Sequence, residues 1–211
     1  CVEITENGLS NALCNMNTPL KRLVLDNENG KWELNSEGLG RVLRKHGDNM
    51  LALSVIHHSI VRQLRYLSRN LLRLNISGQP FVNFHDFRYR CSRLKSLRLD
   101  YCDWIKESDI LKYVVTWPSL RVLGMAGLYN TVTDRVVRTL ARQNRLYELD
   151  IEGCVRVKWS LISIEMSRFH ELRYLNVRGV VGLVNAHGGP HQEAGVCRIL
   201  LNKLPGCRII I

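Results

Sequence analysis

Two histidines four residues apart on a helix can grip zinc, and His187-x-x-x-His191 has that spacing. Gly188, Gly189 and Pro190 between them forbid one regular helical turn, so the pair reads as two loop histidines. His57-His58 reads as a surface pair at a strand-to-helix turn. Seven cysteines stand at 1, 14, 91, 102, 154, 197 and 207. The number is odd and no Cys-x-x-Cys occurs, which argues against a disulfide framework and a zinc finger. Reduced, partly buried thiols of a cytoplasmic or nuclear protein fit better, with a mitochondrial location left open. Asp100, Asp103, Asp109, Asp150 and Glu152 are acidic but spread along the chain, and nothing pairs them as acid and base. There is no Walker-type phosphate loop and no Gly-x-Ser-x-Gly. The sequence predicts a protein that is not an enzyme and needs no cofactor and no metal.

The elements around these residues repeat. Leu94-x-x-Leu97-x-Leu99 returns as Leu120-x-x-Leu123-x-Met125, Leu146-x-x-Leu149-x-Ile151 and Leu172-x-x-Leu175-x-Val177, each step 26 residues long. Upstream the register loosens through Leu71-x-x-Leu74-x-Ile76, Met50-x-x-Leu53-x-Val55 and Leu20-x-x-Leu23-x-Leu25, giving about seven repeats. The fourth and sixth positions lie two apart and face one side of a short strand. A single repeat cannot bury that side, so neighbours must stack.

The rest of each repeat has helical spacing. After Thr133 or Asp134 as N-cap, Val136, Val137, Leu140 and Ala141 form one stripe, with Arg135, Arg138 and Arg142 outside it. Ser108 and Asp109 open a second helix carrying Ile110, Leu111, Val114 and Val115. Ser36-Glu37 opens a third with Leu39, Val42 and Leu43, and Ile60, Val61, Leu64 and Leu67 mark a fourth. The stretch 81–93 lacks a clean stripe and reads as irregular or a short helix. The expected fold is α/β: a right-handed leucine-rich-repeat solenoid, a horseshoe arc with parallel strands on the concave face and helices on the convex face. Residues 1–211 read as one domain, with regular repeats over 94–179, irregular repeats over 20–93 and a C-terminal cap over 180–211. In that cap, residues 197–204 read as a helix and 208–211 as a last strand.

On these residues the chain resembles the cysteine-containing leucine-rich repeats of F-box proteins. Cys102 and Cys154 occupy the ninth repeat position, and Val132-Thr133-Asp134 with Leu140-Ala141 match that family's helix half. The ninth position is Leu128 and Val180 in two other repeats, so the cysteines read as structural. The resemblance implies substrate recognition for a cullin-type ubiquitin ligase. No F-box occurs in these 211 residues, so contact with a ligase adaptor would need a segment before Cys1. The chain starts without Met or a signal peptide and reads as a piece of a longer protein or a processed product.

Positions three, five and seven of each repeat should point to the concave face. From Arg98 onward they give Arg98 and Asp100, then Val122, Gly124 and Ala126, then Glu148, Asp150 and Glu152, then Tyr174, Asn176 and Arg178. Val122, Gly124, Ala126 and Gly127 are small or apolar and suggest a shallow apolar trough. Arg98 flanks it on one side, the acidic trio on the other, with Tyr174 and Arg178 beyond. A peptide or loop of a protein partner is the expected occupant. The Gly-rich connection 180–197 is the other candidate, as a loop over the face or over the last repeat.

Thirty Lys and Arg against 19 Asp and Glu give a net charge of +11. The cations fall at helix faces and repeat junctions, with Arg65-Tyr66 and Arg88-Tyr89-Arg90 as the hints of interleaved aromatics that nucleic acid would want. No apolar run is long enough to span a membrane. Two readings stay in play beside ligase substrate recognition: an assembly scaffold without a ubiquitin link, and, ranked lower, a nucleic-acid-associated scaffold.

Overall fold

The computed structural model of the chain describes residues 6–26, 36–56, 63–79, 92–143, 145–180 and 190–211. His57-His58, Ile60-Val61, residues 81–91 and residues 181–189, His187 among them, lie outside the described residues, as does the His191 side chain. The chain groups into two compact units, one of Cys1–Leu97 with Trp117–Ser119, the other of Arg98–Thr116 with Leu120–Ile211.

The first unit holds helices α1 (Glu6–Asn15) and α2 (Ser36–His46) and strands β1 (Arg22–Asp26), β2 (Ala52–Ile56) and β3 (Arg73–Asn75). The strands are parallel and paired in chain order, with Leu23 beside Leu53 and Leu53 beside Leu74. Leu39, Val42 and Leu43 of α2 are buried, as their spacing predicts. Helix α1 stands outside the leucine repeat, with Leu9, Ala12 and Leu13 at helical spacing. Polar side chains tie it down as well. Arg41 of α2 donates to Ser10 Oγ at 2.8 Å, and buried His46 bridges Leu13 O at 2.9 Å and the Leu20 N–H at 3.4 Å. Leu64 and Leu67 are buried, but the described part of their segment is a single 3-10 turn, Gln63–Tyr66.

Strand β4 (Ser96–Arg98) stands at the divide. The second unit holds β5 (Val122–Gly124), β6 (Glu148–Asp150), β7 (Tyr174–Asn176) and β8 (Arg208–Ile210), with α3 (Glu107–Lys112), α4 (Asp134–Gln143), α5 (Trp159–Glu165) and α6 (Pro190–Lys203). Its strands are parallel, and Leu123, Leu149, Leu175 and Ile209 stand side by side. The three leucines are fully buried, each worth roughly 1.5–3 kcal/mol against exposure. Val136, Val137, Leu140 and Ala141 of α4 are buried, with Asp134 in its first turn and Arg142 in its last, charges that suit the helix ends.

Three expectations shift in detail. Helix α3 starts at Glu107, where the Asp109 carboxylate accepts the Lys106 N–H at 3.1 Å, and Val114 and Val115 fall in a separate 3-10 turn, Val114–Thr116. The last helix begins at Pro190, well before Cys197, because proline suits a helix's first position, where its missing N–H has no partner to lose. The connection read as running to 197 therefore ends sooner. The arginines are also more than solvated helix faces. Arg138 of α4 and Arg168 hold the buried Glu165 carboxylate at 3.4 and 3.0 Å, and Arg44 and Arg65 flank the Tyr66 ring.

After each strand the backbone repeats one turn. Gly78, Gly127, Gly153 and Gly179 at the eighth position have φ of 67°, 69°, 70° and 71°. Tyr101 fills the same position with φ 59°, a conformation that costs a side-chain-bearing residue about 1–2 kcal/mol. The ninth residue then turns inward. Cys102, Leu128, Cys154 and Val180 are all buried, and each N–H reaches the carbonyl three residues back. Cys154 donates its thiol to Met125 O at 3.3 Å, and burial pushes its pKa up to about 12. That environment supports a structural thiol over a nucleophile.

Two outcomes test this register. Leu123→Ala should lower unfolding free energy by about 2–5 kcal/mol in urea denaturation; a value near zero would mean the side chain is not in the core. A thiol reagent at pH 8 should label Cys14 and Cys197, which are part-exposed, while Cys102 and Cys154 react only in denaturant.

Candidate functional site

In the second unit the strand positions that do not enter the core carry a connected polar network. It begins with a backbone requirement. At the fifth position an Asp or Asn side chain accepts the N–H two residues on, closing the strand end. Asp150 Oδ1 accepts Glu152 N at 3.1 Å, and Asn176 Oδ1 accepts Arg178 N at 3.2 Å. In the first unit Asn75 Oδ1 does the same for Ser77 N at 3.0 Å.

Gly124 has the fifth position but no side chain. Asp100 from the preceding repeat reaches across instead, and its Oδ1 accepts the Ala126 N–H at 3.0 Å. A Cβ on Gly124 would meet that oxygen at 2.7 Å and Arg98 Cγ at 3.0 Å. The missing side chain is thus the space the Asp100 carboxylate needs. The expected apolar trough is filled and polar. Gly124 and Ala126 are buried under Arg98 and Asp100, and Val122 is half-buried.

Arg98 sits between two carboxylates, 3.4 Å from Asp100 Oδ2 and 3.9 Å from Asp150 Oδ2. Buried Asn176 donates to Glu152 Oε2 at 2.9 Å, and Arg178 reaches Glu152 Oε1 at 3.8 Å. Burial pushes the Asp150 carboxyl above its ordinary range, and Asp100 adds to the rise, while the Glu152 N–H, the Asn176 amide and Arg98 pull the other way. Glu148 and Tyr174 are half-buried neighbours across β6 and β7, and Arg178 is exposed. The structure therefore joins Asp100, Arg98, Asp150, Glu152, Asn176 and Arg178 in one network. Glu148 and Tyr174 share its face as neighbours in strand register.

No family model matches the chain, and no curated protein is similar enough to match. Solved structures do match. The leucine-rich-repeat protein LegL7 of Legionella pneumophila aligns at 14% identity and TM-score 0.57, covering 99% of this chain and 79% of its own. An internalin, inlF of Listeria monocytogenes, aligns at 12% identity and TM-score 0.54, over 85% of this chain and 46% of its own. TLR13, in a complex with ssRNA13, aligns at 17% identity and TM-score 0.50, over 76% of this chain and 24% of its own. The fold is a leucine-rich-repeat solenoid. The chain spans less than half of the TLR13 and internalin chains that it matches.

Beside the leucine-rich-repeat strand face lies an edge that the repeat pattern did not flag. The Tyr101 ring rests on Gly127, and Tyr129 Cε1 stands 3.1 Å from the place of a Cβ on Gly153. Tyr101 is 53% exposed and Tyr129 47%. The signal was present as an exception: Tyr at an eighth position that is otherwise glycine in the neighbouring repeats. Among the described residues no group of three His, Cys, Asp or Glu side chains is placed to hold a metal ion, and no helix is long and apolar enough to cross a membrane.

The network sets two expectations. Gly124→Ala should displace Asp100 and leave the Ala126 N–H without its acceptor, costing about 1–3 kcal/mol in denaturant titration. Burial opposes ionisation of the Asp150 carboxyl. A carboxyl raised in the folded state contributes stability that falls as pH rises from the ordinary value near 3.8 through the folded value. Asp150→Asn keeps the acceptor and should remove that decline, leaving the fold at least as stable at pH 7. Urea titrations at pH 4 and pH 7 of both proteins check it; a large loss of stability at pH 7 would mean that the charge itself holds the fold.

Proposed function

We propose that the chain is a non-enzymatic protein-recognition module that binds its partner on the strand face of the second unit. The observation that carries this reading is the fixed network from Asp100 through Arg98 and Asp150 to Arg178. Its donors and acceptors are set by backbone hydrogen bonds, so little order is lost when a partner docks. Tyr174 and Arg178 add an aromatic and a cation, residue types that dominate binding energy at protein interfaces. Arg98, Val122, Gly124, Ala126, Glu148, Asp150, Glu152, Tyr174, Asn176 and Arg178 remain the proposed site, with Gly124, Ala126 and Asn176 as its buried floor and the others as its contact groups.

The finer reading is substrate recognition for a cullin-type ubiquitin ligase. Buried Cys102 and Cys154 at the ninth position and the Val132-Thr133-Asp134 helix opening support it, as features of the F-box repeat subtype. Nucleic acid is less suited to this face. Asp100, Glu148, Asp150 and Glu152 would repel phosphates, whatever the net charge of the chain. The complex of TLR13 with ssRNA13 concerns that protein's own surface.

Affinity purification of the full-length protein, with peptide mapping of its N-terminus, tests the ligase reading. Recovery of a cullin and its adaptor is the expected result; a stable complex lacking both would replace the reading with an assembly scaffold. Val122→Asp and Tyr174→Ala, made separately, should each weaken retention of the main partner at least tenfold while circular dichroism stays unchanged. Undiminished retention by both would remove the strand face as the site.

A further inference from the structure

The edge of the second unit, at the C-terminal ends of its strands, holds a small built cavity apart from the strand face. It measures about 210 Å³ and is lined by Asp103, Leu128, Tyr129, Asn130 and Thr131. Its wall is pinned: Thr131 is buried, its hydroxyl donates to the Ile105 carbonyl, and its N–H reaches Leu128 O at 3.1 Å. Leu128 is buried beneath as the ninth residue of its repeat. A fixed apolar base, one aromatic ring, one carboxylate and one amide therefore converge on the same space.

The chemistry of that lining selects a cation. Asp103 is exposed, and its side chain makes no hydrogen bond or ion pair among the described residues. Tyr129 lines the same cavity, and a guanidinium or ammonium held between an aromatic ring and a carboxylate gains both cation–π and ion-pair attraction. Asn130 and Thr131 carry oxygens that accept from a donor-only head group. Arg156 Nη1 already donates to the Asn130 carbonyl at 3.0 Å, so an incoming cation relies on the Asp103 carboxylate and the Asn130 side chain.

Tyr101 extends the site. Its ring and that of Tyr129 are seated one repeat apart, on Gly127 and Gly153. Burial raises the Tyr101 phenol pKa, and the charges of Glu152, Asp100 and Asp150, with Tyr129, add to the rise. Two exposed rings backed by carboxylates form a strip suited to the stem and head of a long basic side chain and to its chain neighbours. Tyr101 also holds a left-handed backbone that glycine supplies at lower cost in the adjacent repeats.

We propose that the cavity lined by Asp103 and Tyr129, with the Tyr101 ring beside it, docks an arginine or lysine side chain presented by an extended basic segment of a protein partner. This goes beyond the strand-face reading and shares with it that the chain binds protein. The occupant is a protein segment because the two rings prolong the cavity into a strip, which a lone cation would not use.

A dye-labelled twelve-residue Arg/Gly/Ser peptide, titrated by fluorescence anisotropy against the full chain, tests the assignment. The same peptide with citrulline in place of arginine is the neutral control of equal shape. The arginine peptide should bind at least tenfold more tightly than the citrulline peptide. Asp103→Asn and Tyr101→Gly should each weaken it fivefold or more. Tyr101→Gly is the decisive variant, because it installs the residue this turn favours; its thermal midpoint should not fall, so lost binding cannot be lost folding. Equal affinity for the two peptides, unchanged affinity in Asp103→Asn, no binding at all, or competition by an oligouridine RNA for the same residues would each overturn the proposal. Tyr174→Ala separates the two sites. It should leave arginine-peptide binding intact, so failure here and failure of the strand face are read from different variants.

Discussion

A strand of three residues has no hydrogen bonds of its own. In the second unit every strand is that short, so each must satisfy its backbone on the next repeat. The result is a ladder repeating along the chain. Leu99 N reaches Gly124 O, Met125 N reaches Asp150 O, Ile151 N reaches Asn176 O and Val177 N reaches Ile210 O, all at 2.9 Å. Two residues on, Tyr101, Gly127 and Gly153 donate to Ala126, Glu152 and Arg178 at 2.7–2.8 Å. The ladder fixes strand register and not repeat length: Leu23, Leu53 and Leu74 stand side by side across steps of 30 and 21 residues, and Leu175 meets Ile209 across 34.

The same ladder explains where glycine must fall. The chain leaves the strand through a left-handed residue, and a side chain there would strain the backbone and strike the neighbouring repeat. Gly127 lies under the Tyr101 ring and Gly153 under Tyr129. Gly124 has a different reason. Its φ is unexceptional, and what it gives up is the acceptor that Asp150 and Asn176 provide at the same position. Asp100 supplies that acceptor from one repeat away and occupies the vacated space. One glycine thus links two repeats by a side chain as well as by backbone.

This is also where the sequence stopped being legible. Periodicity shows which positions are buried, and the leucine columns, the α4 stripe and the ninth-position cysteines stand where the spacing places them. It shows which positions face away from the core, too. It does not show what those side chains do to one another. Read one repeat at a time, Val122, Gly124 and Ala126 look like bare ground; the Asp100 that covers them belongs to the previous repeat. Helix α1 escaped for a related reason: it stands outside the leucine repeat, and although Leu9, Ala12 and Leu13 have helical spacing, arginine and histidine side chains from α2 help hold it. The fold depends on a pattern that repeats, whereas the site depends on departures from it.

Those departures also decide what the net charge means. A charge of +11 describes the far field, and screening at physiological salt confines it to about 8 Å from the surface. Within that distance a partner meets local groups. Many arginines are already engaged: Arg138 and Arg168 on buried Glu165, Arg41 on α1, Arg44 and Arg65 on Tyr66. Carboxylates dominate the middle of the second unit's strand face, and Arg98 is held between two of them. A basic protein can therefore carry a locally acidic strand face, because its carboxylates gather at the strand ends, where the backbone needs acceptors.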